Sequence, residues 1–357
     1  MDEAGEHDME GVMVVPSVVF VEPGESIQNG VNTVDAYGTV IVAPGVYNEN
    51  VTVNKPGVQL HGAQYGVDAR ERIVTPVPES IINGTVSLAE QNTVIDGFTV
   101  QNVAGNAGIV TSAAFSGYWV FNNIVQNNTF GIYLNSADGT ITQVKQNVVR
   151  NNRQPGAASG NGIYCDQGLR NAVIRDNFLT GHDPANAAGI NITPLVQNAA
   201  SRIWITDNFL FQDSSIALTN TTFVTVSQNC LIQNIGASAI FFGGGTSFTD
   251  IESNIIQNNN RGISVTAVFT GTENTGIRVK HNNIQGNIFA GLQVVNNAYS
   301  GILNATNNFW GNASGPSGIG PGTGDAIING DPDTTILFEP FLTSPIARIP
   351  CQSSIVS

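Results

Sequence analysis

Polar and apolar positions alternate along most of this chain, and the alternation is locked to one recurring asparagine. It appears as Asn123, Asn147, Asn177, Asn208, Asn229, Asn254, Asn282 and Asn307, about 26 residues apart. An apolar residue stands two places after each, from Val125 to Phe309. Another stands three places before, from Val120 to Val279, and only Asn304 breaks that column. A fixed period of this length belongs to stacked repeats. Period-2 alternation with many β-branched residues makes the repeat unit strands. One repeat is therefore one turn of a β-helix, and the fold class is all-β. Stacked coils lie roughly 4.8 Å apart, so each asparagine can bond the next. A buried asparagine without such a partner would cost roughly 1–3 kcal/mol.

A second ladder runs five residues behind the first: Asn128, Asn152, His182, Asp213, Asn234, Asn259, Asn287, Asn312. Its two departures, His182 and Asp213, fall on adjacent coils within bonding reach of each other. The largest insertions, 153–161 and 183–188, flank this point and bring Arg153 and Asp183, with Asp166 one strand further on. A His–Asp pair can do general acid–base work. Asp183 and Asp213 could supply the two carboxylates of glycoside hydrolysis. The plainer reading is that His182 and Asp213 replace two ladder asparagines by pairing with each other.

The chain divides into an acidic disordered arm (1–16), a single β-helix of about a dozen coils (17–312) and a Gly/Pro-rich cap and tail (313–357). Ile27, Val31 and Val34 recur at helical spacing after Pro23-Gly24-Glu25, which predicts a short amphipathic helix. It is placed to cover the open first coil, whose unpaired edge would otherwise invite aggregation.

Composition narrows the classes of partner. Only 11% of residues are charged, and of the net charge of −14 the first ten residues supply five negatives, Asp2, Glu3, Glu6, Asp8 and Glu10. Thirteen Lys and Arg without a basic stripe exclude a nucleic-acid binder. No apolar run is long enough to span a membrane. The acidic start is not a signal peptide, so an extracellular setting, or a cell, spore or virion surface, implies another export route or a removed leader. Cys165 and Cys230 fall in apolar columns and read as buried. Cys351 lies in the tail, free to cross-link chains, and no disulfide framework is implied. Asp325, Asp331 and Asp333 read as a solvated capping loop. Their spacing matches no Ca²⁺ loop, and no cofactor is expected.

The repeat Asn123-Ile124-Val125-Gln126-Asn127-Asn128-Thr129-Phe130-Gly131-Ile132-Tyr133-Leu134 resembles the NosD-like repeats of the pectin-lyase-like superfamily. Gly45-Val46-Tyr47-Asn48-Glu49 resembles the opening coil of many such proteins, and Asn308-Phe309-Trp310-Gly311 resembles an end motif of surface β-helices. The resemblance implies a right-handed parallel β-helix with three strands per coil. It also implies that sugar binds on the Gly-Ile-x-Leu face, where Tyr133, Tyr164, Asn191, Ala217, Phe241, Ser264 and Gln293 point outward. Tyr133, Tyr164 and Phe241 can stack on sugar rings, with Asp166 and Arg153 at the border. The carboxylates of a Ca²⁺-dependent lyase are missing from this face. So are the paired Asp and Gly-His-Gly blocks of polygalacturonases, which leaves Arg278 and Lys280 as a chance match on another face.

The leading expectation is a non-catalytic surface or fibre protein that presents a face to polysaccharide or to its own copies. The alternative is a polysaccharide-active enzyme, a hydrolase before a lyase, using His182, Asp183 and Asp213. A further alternative is self-assembly without a glycan.

Overall fold

The computed structural model describes residues 17–182, 187–234, 238–347 and Cys351. The acidic arm and Asp183 lie outside the described residues.

The chain winds as a right-handed parallel β-helix with three long parallel sheets, of fourteen, twelve and ten strands. Strands of one sheet recur every third strand along the chain, as one coil stacks on the last. In the repeat Trp119–Phe121, Ile124–Gln126, Phe130–Tyr133, the three strands enter the fourteen-, ten- and twelve-stranded sheets in turn. Inward residues interlock into one core along the axis, including Val120, Val125, Ile132 and Leu134, all fully buried.

The first ladder sits at the tight turn between the fourteen- and ten-stranded sheets. From Asn147 onward each Oδ1 accepts from both the backbone N–H and the Nδ2 of the asparagine one coil before: Asn147 takes Asn123 N and Nδ2 at 2.8 and 3.3 Å, Asn282 takes both from Asn254 at 2.9 Å. Every ladder Nδ2 also donates to a strand carbonyl, as Asn177 does to Val144 O. The last rung is a correction. Asn282 donates to Asn308, not Asn307, while Asn307 takes a left-handed backbone at φ 59°. The break at Asn304 marked this shift, because three places before Asn308 stands the fully buried Ala305. The second ladder also ends elsewhere than expected. Asn287 N and Nδ2 donate to the Asp325 carboxylate at 2.9 and 2.8 Å, whereas Asn312 serves a local turn at Ser314. Asp325 is a structural terminus, and burial pushes its carboxyl above the usual range.

Strand pairing continues past residue 312. Gly324–Asn329 joins the twelve-stranded sheet and Thr335–Leu337 the fourteen-stranded one. The helix Ile27–Thr33 buries Ile27, Gly30 and Val31 over the first coils, with Ser26 as N-cap. The Glu49 carboxylate accepts from Ile27 N, Gln28 N and Ser26 Oγ at 2.8, 3.1 and 2.9 Å. That fixes a negative charge at the helix N-terminus, where it is stabilised.

The cysteine expectation is corrected in part. Cys165 is free and buried, but Cys230 and Cys351 form a disulfide with Cα atoms 5.8 Å apart. The tail runs back along the outside of the ten-stranded sheet, with Leu342 N donating to Asn308 O and Asn283 exchanging bonds with Ile346. Cys351 thereby reaches Cys230 and joins a second apolar cluster with Phe178 and Phe209. Linear spacing could not reveal this, since 121 residues separate the pair.

Candidate functional site

The outward column of the twelve-stranded sheet runs Tyr133, Tyr164, Asn191, Ala217, Phe241, Ser264, Gln293 in direct register. Adjacent coils stack the Tyr133 and Tyr164 rings, with centroids 5.8 Å apart and planes 17° off parallel. The edge-on Phe130 ring braces both. Asp166 follows the strand Ile163–Cys165 and turns back onto this pair. Its Oδ1 accepts from Tyr133 OH at 2.5 Å and its Oδ2 from Tyr164 OH at 3.2 Å. Gln167 Nε2 donates to Tyr133 OH at 2.8 Å. The buried Asn135 holds the turn by accepting from Gln167 N and Gly168 N. Gln167 and Asn135 were missed in the sequence; the signal was their place beside Asp166 and Tyr133.

Half-burial and the Asp166 charge both disfavour a phenolate here. Burial, then the Asp166 hydrogen bond, pushes Tyr133 up to about 12, and Tyr164 rises for the same causes. Both hydroxyls therefore stay protonated donors at neutral pH. Asp166 is the acceptor between them. The assembly can hold a proton, pass one along Tyr133–Asp166–Tyr164, and offer a ring face to a ligand.

The other predicted residues fall differently. Arg153 is exposed on the loop that leads into Ile163–Cys165. Phe241 lies three coils beyond Tyr164 and packs against Phe269 at 5.6 Å, apart from the tyrosine pair. His182 and Asp213 do meet: His182 N and Nδ1 both reach the Asp213 carboxylate, at 3.0 and 2.9 Å. Asn152 Nδ2 donates to Val125 O at 3.0 Å and meets His182 Nε2 at 3.3 Å. The Asn152 amide can only donate there, so Nε2 accepts and the proton sits on Nδ1, facing Asp213. Both residues are 0% exposed, and Ser214 N takes a further Asp213 contact at 2.7 Å. A sugar cannot reach either group without opening the coil. The catalytic roles read for His182 and Asp213 are corrected on that ground: they are rungs of the ladder.

In sequence, the chain matches no protein-family model and no curated protein. Its likeness to solved structures is extensive. An alginate lyase from Paenibacillus sp. str. FPU-7 aligns over 91% of this chain and 99% of its own, with a TM-score of 0.54 at 10% identity. The chain has the pectin-lyase-like parallel β-helix fold. A GH87 α-1,3-glucanase from Streptomyces thermodiastaticus strain HF3-3 aligns over 91% of this chain and 66% of its own (TM-score 0.51, 13% identity). The periplasmic alginate epimerase AlgG aligns over 94% and 79% (TM-score 0.50, 13% identity). These pectin-lyase-like neighbours are a lyase, a hydrolase and an epimerase that act on polysaccharide. That set overturns the expectation of a non-catalytic surface or fibre component. No helix among the described residues is long and apolar enough to cross a membrane.

Proposed function

We propose that this β-helix is a polysaccharide-cleaving enzyme whose substrate lies across the twelve-stranded sheet, with its chemistry at Tyr133, Asp166 and Tyr164. The observation that carries the reading is the hydrogen-bonded Tyr–Asp–Tyr set on an open, partly aromatic face.

The residue types favour elimination over hydrolysis, against the order expected from sequence. Glycoside hydrolysis ordinarily uses two carboxyl groups flanking the bond, and among the described residues Asp166 stands alone at this face. A tyrosine that keeps its proton up to about 12 suits a leaving alkoxide oxygen. On an acidic sugar, Asp166 takes the hydrogen next to the carboxylate carbon. The adjacent C–O bond breaks, a C=C bond forms, and Tyr133 gives its proton to the departing oxygen. The 2.5 Å contact then returns the proton from Asp166 to Tyr133, so the site is reset without an outside donor. The Cys230–Cys351 bond supports an oxidising compartment outside the cytosol.

The test is a panel of alginate, polygalacturonate and neutral glucans, scored by product mass and by the ultraviolet absorbance of an unsaturated uronate. Tyr133→Phe and Asp166→Asn are expected to lose at least about 100-fold in rate, the scale of general acid–base catalysis, with an unchanged melting temperature. Full activity in either variant, or hydrated product ends only, would overturn the assignment.

A further inference from the structure

A groove on the fourteen-stranded sheet, a different side of the molecule, is left unused by that reading. It encloses about 660 Å³ and crosses five coils, from Arg202 and Trp204 through Phe223 and Phe248 to Gly276, Arg278, Ile302 and Asn304. A volume of that size is ordinary for a ligand site.

Two parallel columns of outward residues build it. One is Trp204, Thr225, Asp250, Arg278, Asn304, paired coil to coil. The other is Asn171, Arg202, Phe223, Phe248, Gly276, all in the left-handed region with φ of 52°, 55°, 53°, 48° and 62°. Each occupies the same register gap, as Phe248 does between the pairs Ser247–Thr275 and Thr249–Ile277. A bulky side chain at such φ is a genuine outlier, and outliers of this kind cluster at binding and catalytic sites. Here two phenylalanines are held there with 59% and 58% of their surface exposed. The two rings stack on each other, with centroids 5.2 Å apart and planes 9° off parallel.

Gly276 ends this aromatic stack. Four coils in the same column carry side chains at the same φ, so the backbone does not demand glycine at 276. A Cβ there would come within 3.2 Å of the Phe248 ring. The glycine keeps a notch open against the free face of Phe248, beside Arg278. The coil rise of roughly 4.8 Å is close to the length of one pyranose unit, so a sugar chain along the axis meets the same columns at each coil.

Charge selects the kind of chain. The strands of the fourteen-stranded sheet carry six of the thirteen Lys and Arg (Lys145, Arg170, Arg175, Arg202, Arg278, Lys280) but only three of the twenty-seven Asp and Glu. Within these strands cations exceed anions by three, on a protein of net charge −14. Arg202 and Arg278 are about half exposed, each paired with a carboxylate, Asp138 and Asp250.

We infer that this groove is a second glycan site, which binds an acidic polysaccharide along the helix axis, with sugar faces on Trp204 and Phe248 and uronate carboxylates at Arg202 and Arg278. It shares no residue with the Tyr133–Asp166–Tyr164 set.

Affinity electrophoresis of the full chain through gels holding alginate, polygalacturonate or dextran tests it. The expected result is retardation by a polyuronate, weakened by salt, and no retardation by dextran. Trp204→Ala with Phe248→Ala should weaken binding at least tenfold, Arg278→Gln about fivefold, and Gly276→Trp should block the notch. Cleavage of a short oligouronate should stay unchanged in all of them, while Asp166→Asn should abolish cleavage and leave retardation intact. Retardation unaltered by the Trp204, Phe248 and Arg278 changes, equal retardation by dextran, or no retardation in any gel would overturn the second site without touching the first.

Discussion

At the scale of single residues, the ladder decides what each polar side chain can be. A ladder position needs an oxygen toward the preceding coil and a donor toward the following one. Asparagine supplies both. Asp213 supplies only acceptors, and His182 supplies the ring N–H that they require. Either change alone, His182→Asn or Asp213→Asn, removes one member of a ring–carboxylate pair packed together at complete burial and leaves its partner in a space shaped for the other, a loss of roughly 1–3 kcal/mol. The double variant rebuilds the asparagine pattern of the neighbouring coils. It should unfold in urea closer to the wild type than either single variant does, with a coupling of at least about 1 kcal/mol. A double variant no more stable than the worse single would mean that the pair is not acting as two rungs. The pairing itself was legible in sequence, because both residues stand in one column on adjacent coils. Their complete burial was not, because the period fixes which coil a residue belongs to but not what covers it.

At the scale of elements, the outward column of the twelve-stranded sheet could be read from the Gly-Ile-x-Leu segments, since alternation leaves one choice of face. The turn after Cys165 could not, and it is the turn that brings Asp166 and Gln167 onto Tyr133. The groove on the fourteen-stranded sheet was hidden for a related reason. Its cations lie scattered between Lys145 and Lys280 in sequence and come together only when coils stack. The capping helix offers a test at this scale. Glu49 meets three donors at the helix start, so Glu49→Ala should cost about 1–2 kcal/mol, as loss of a helix cap does. Hydrogen exchange should quicken at Val40 and Val42 in the coil beneath the helix and stay unchanged near Ile205. Equal quickening throughout would show that the helix is not a local lid.

Over the whole molecule, stability is shared between neighbouring coils, and the Cys230–Cys351 bond is a long-range exception. Closing a loop of 121 residues restricts the unfolded chain by about 5 kcal/mol at most. Cys351→Ser should therefore lower the urea midpoint and expose the segment near Leu342 and Ile346 to protease, while the first coils keep their exchange protection. A tail as resistant as before would show that its other contacts suffice. The ladders also give the solenoid a direction. The asparagine oxygens point toward the first coil, and from Asn123 to Asn282 one amide N–H of each rung passes to the next while the other turns back to a strand carbonyl of the coil before, so the rung-to-rung bonds all run one way, from a negative end to a positive one. The backbone N–H of Phe98 and Val103 meets the negative end, and the Asp325 carboxylate meets the positive end of the second ladder. The rod is thus a polar stack whose ends are not interchangeable. A duplicated asparagine coil keeps both ladders in step, whereas a coil that continued the second ladder past Asn287 would have to replace the Asp325 carboxylate that ends it.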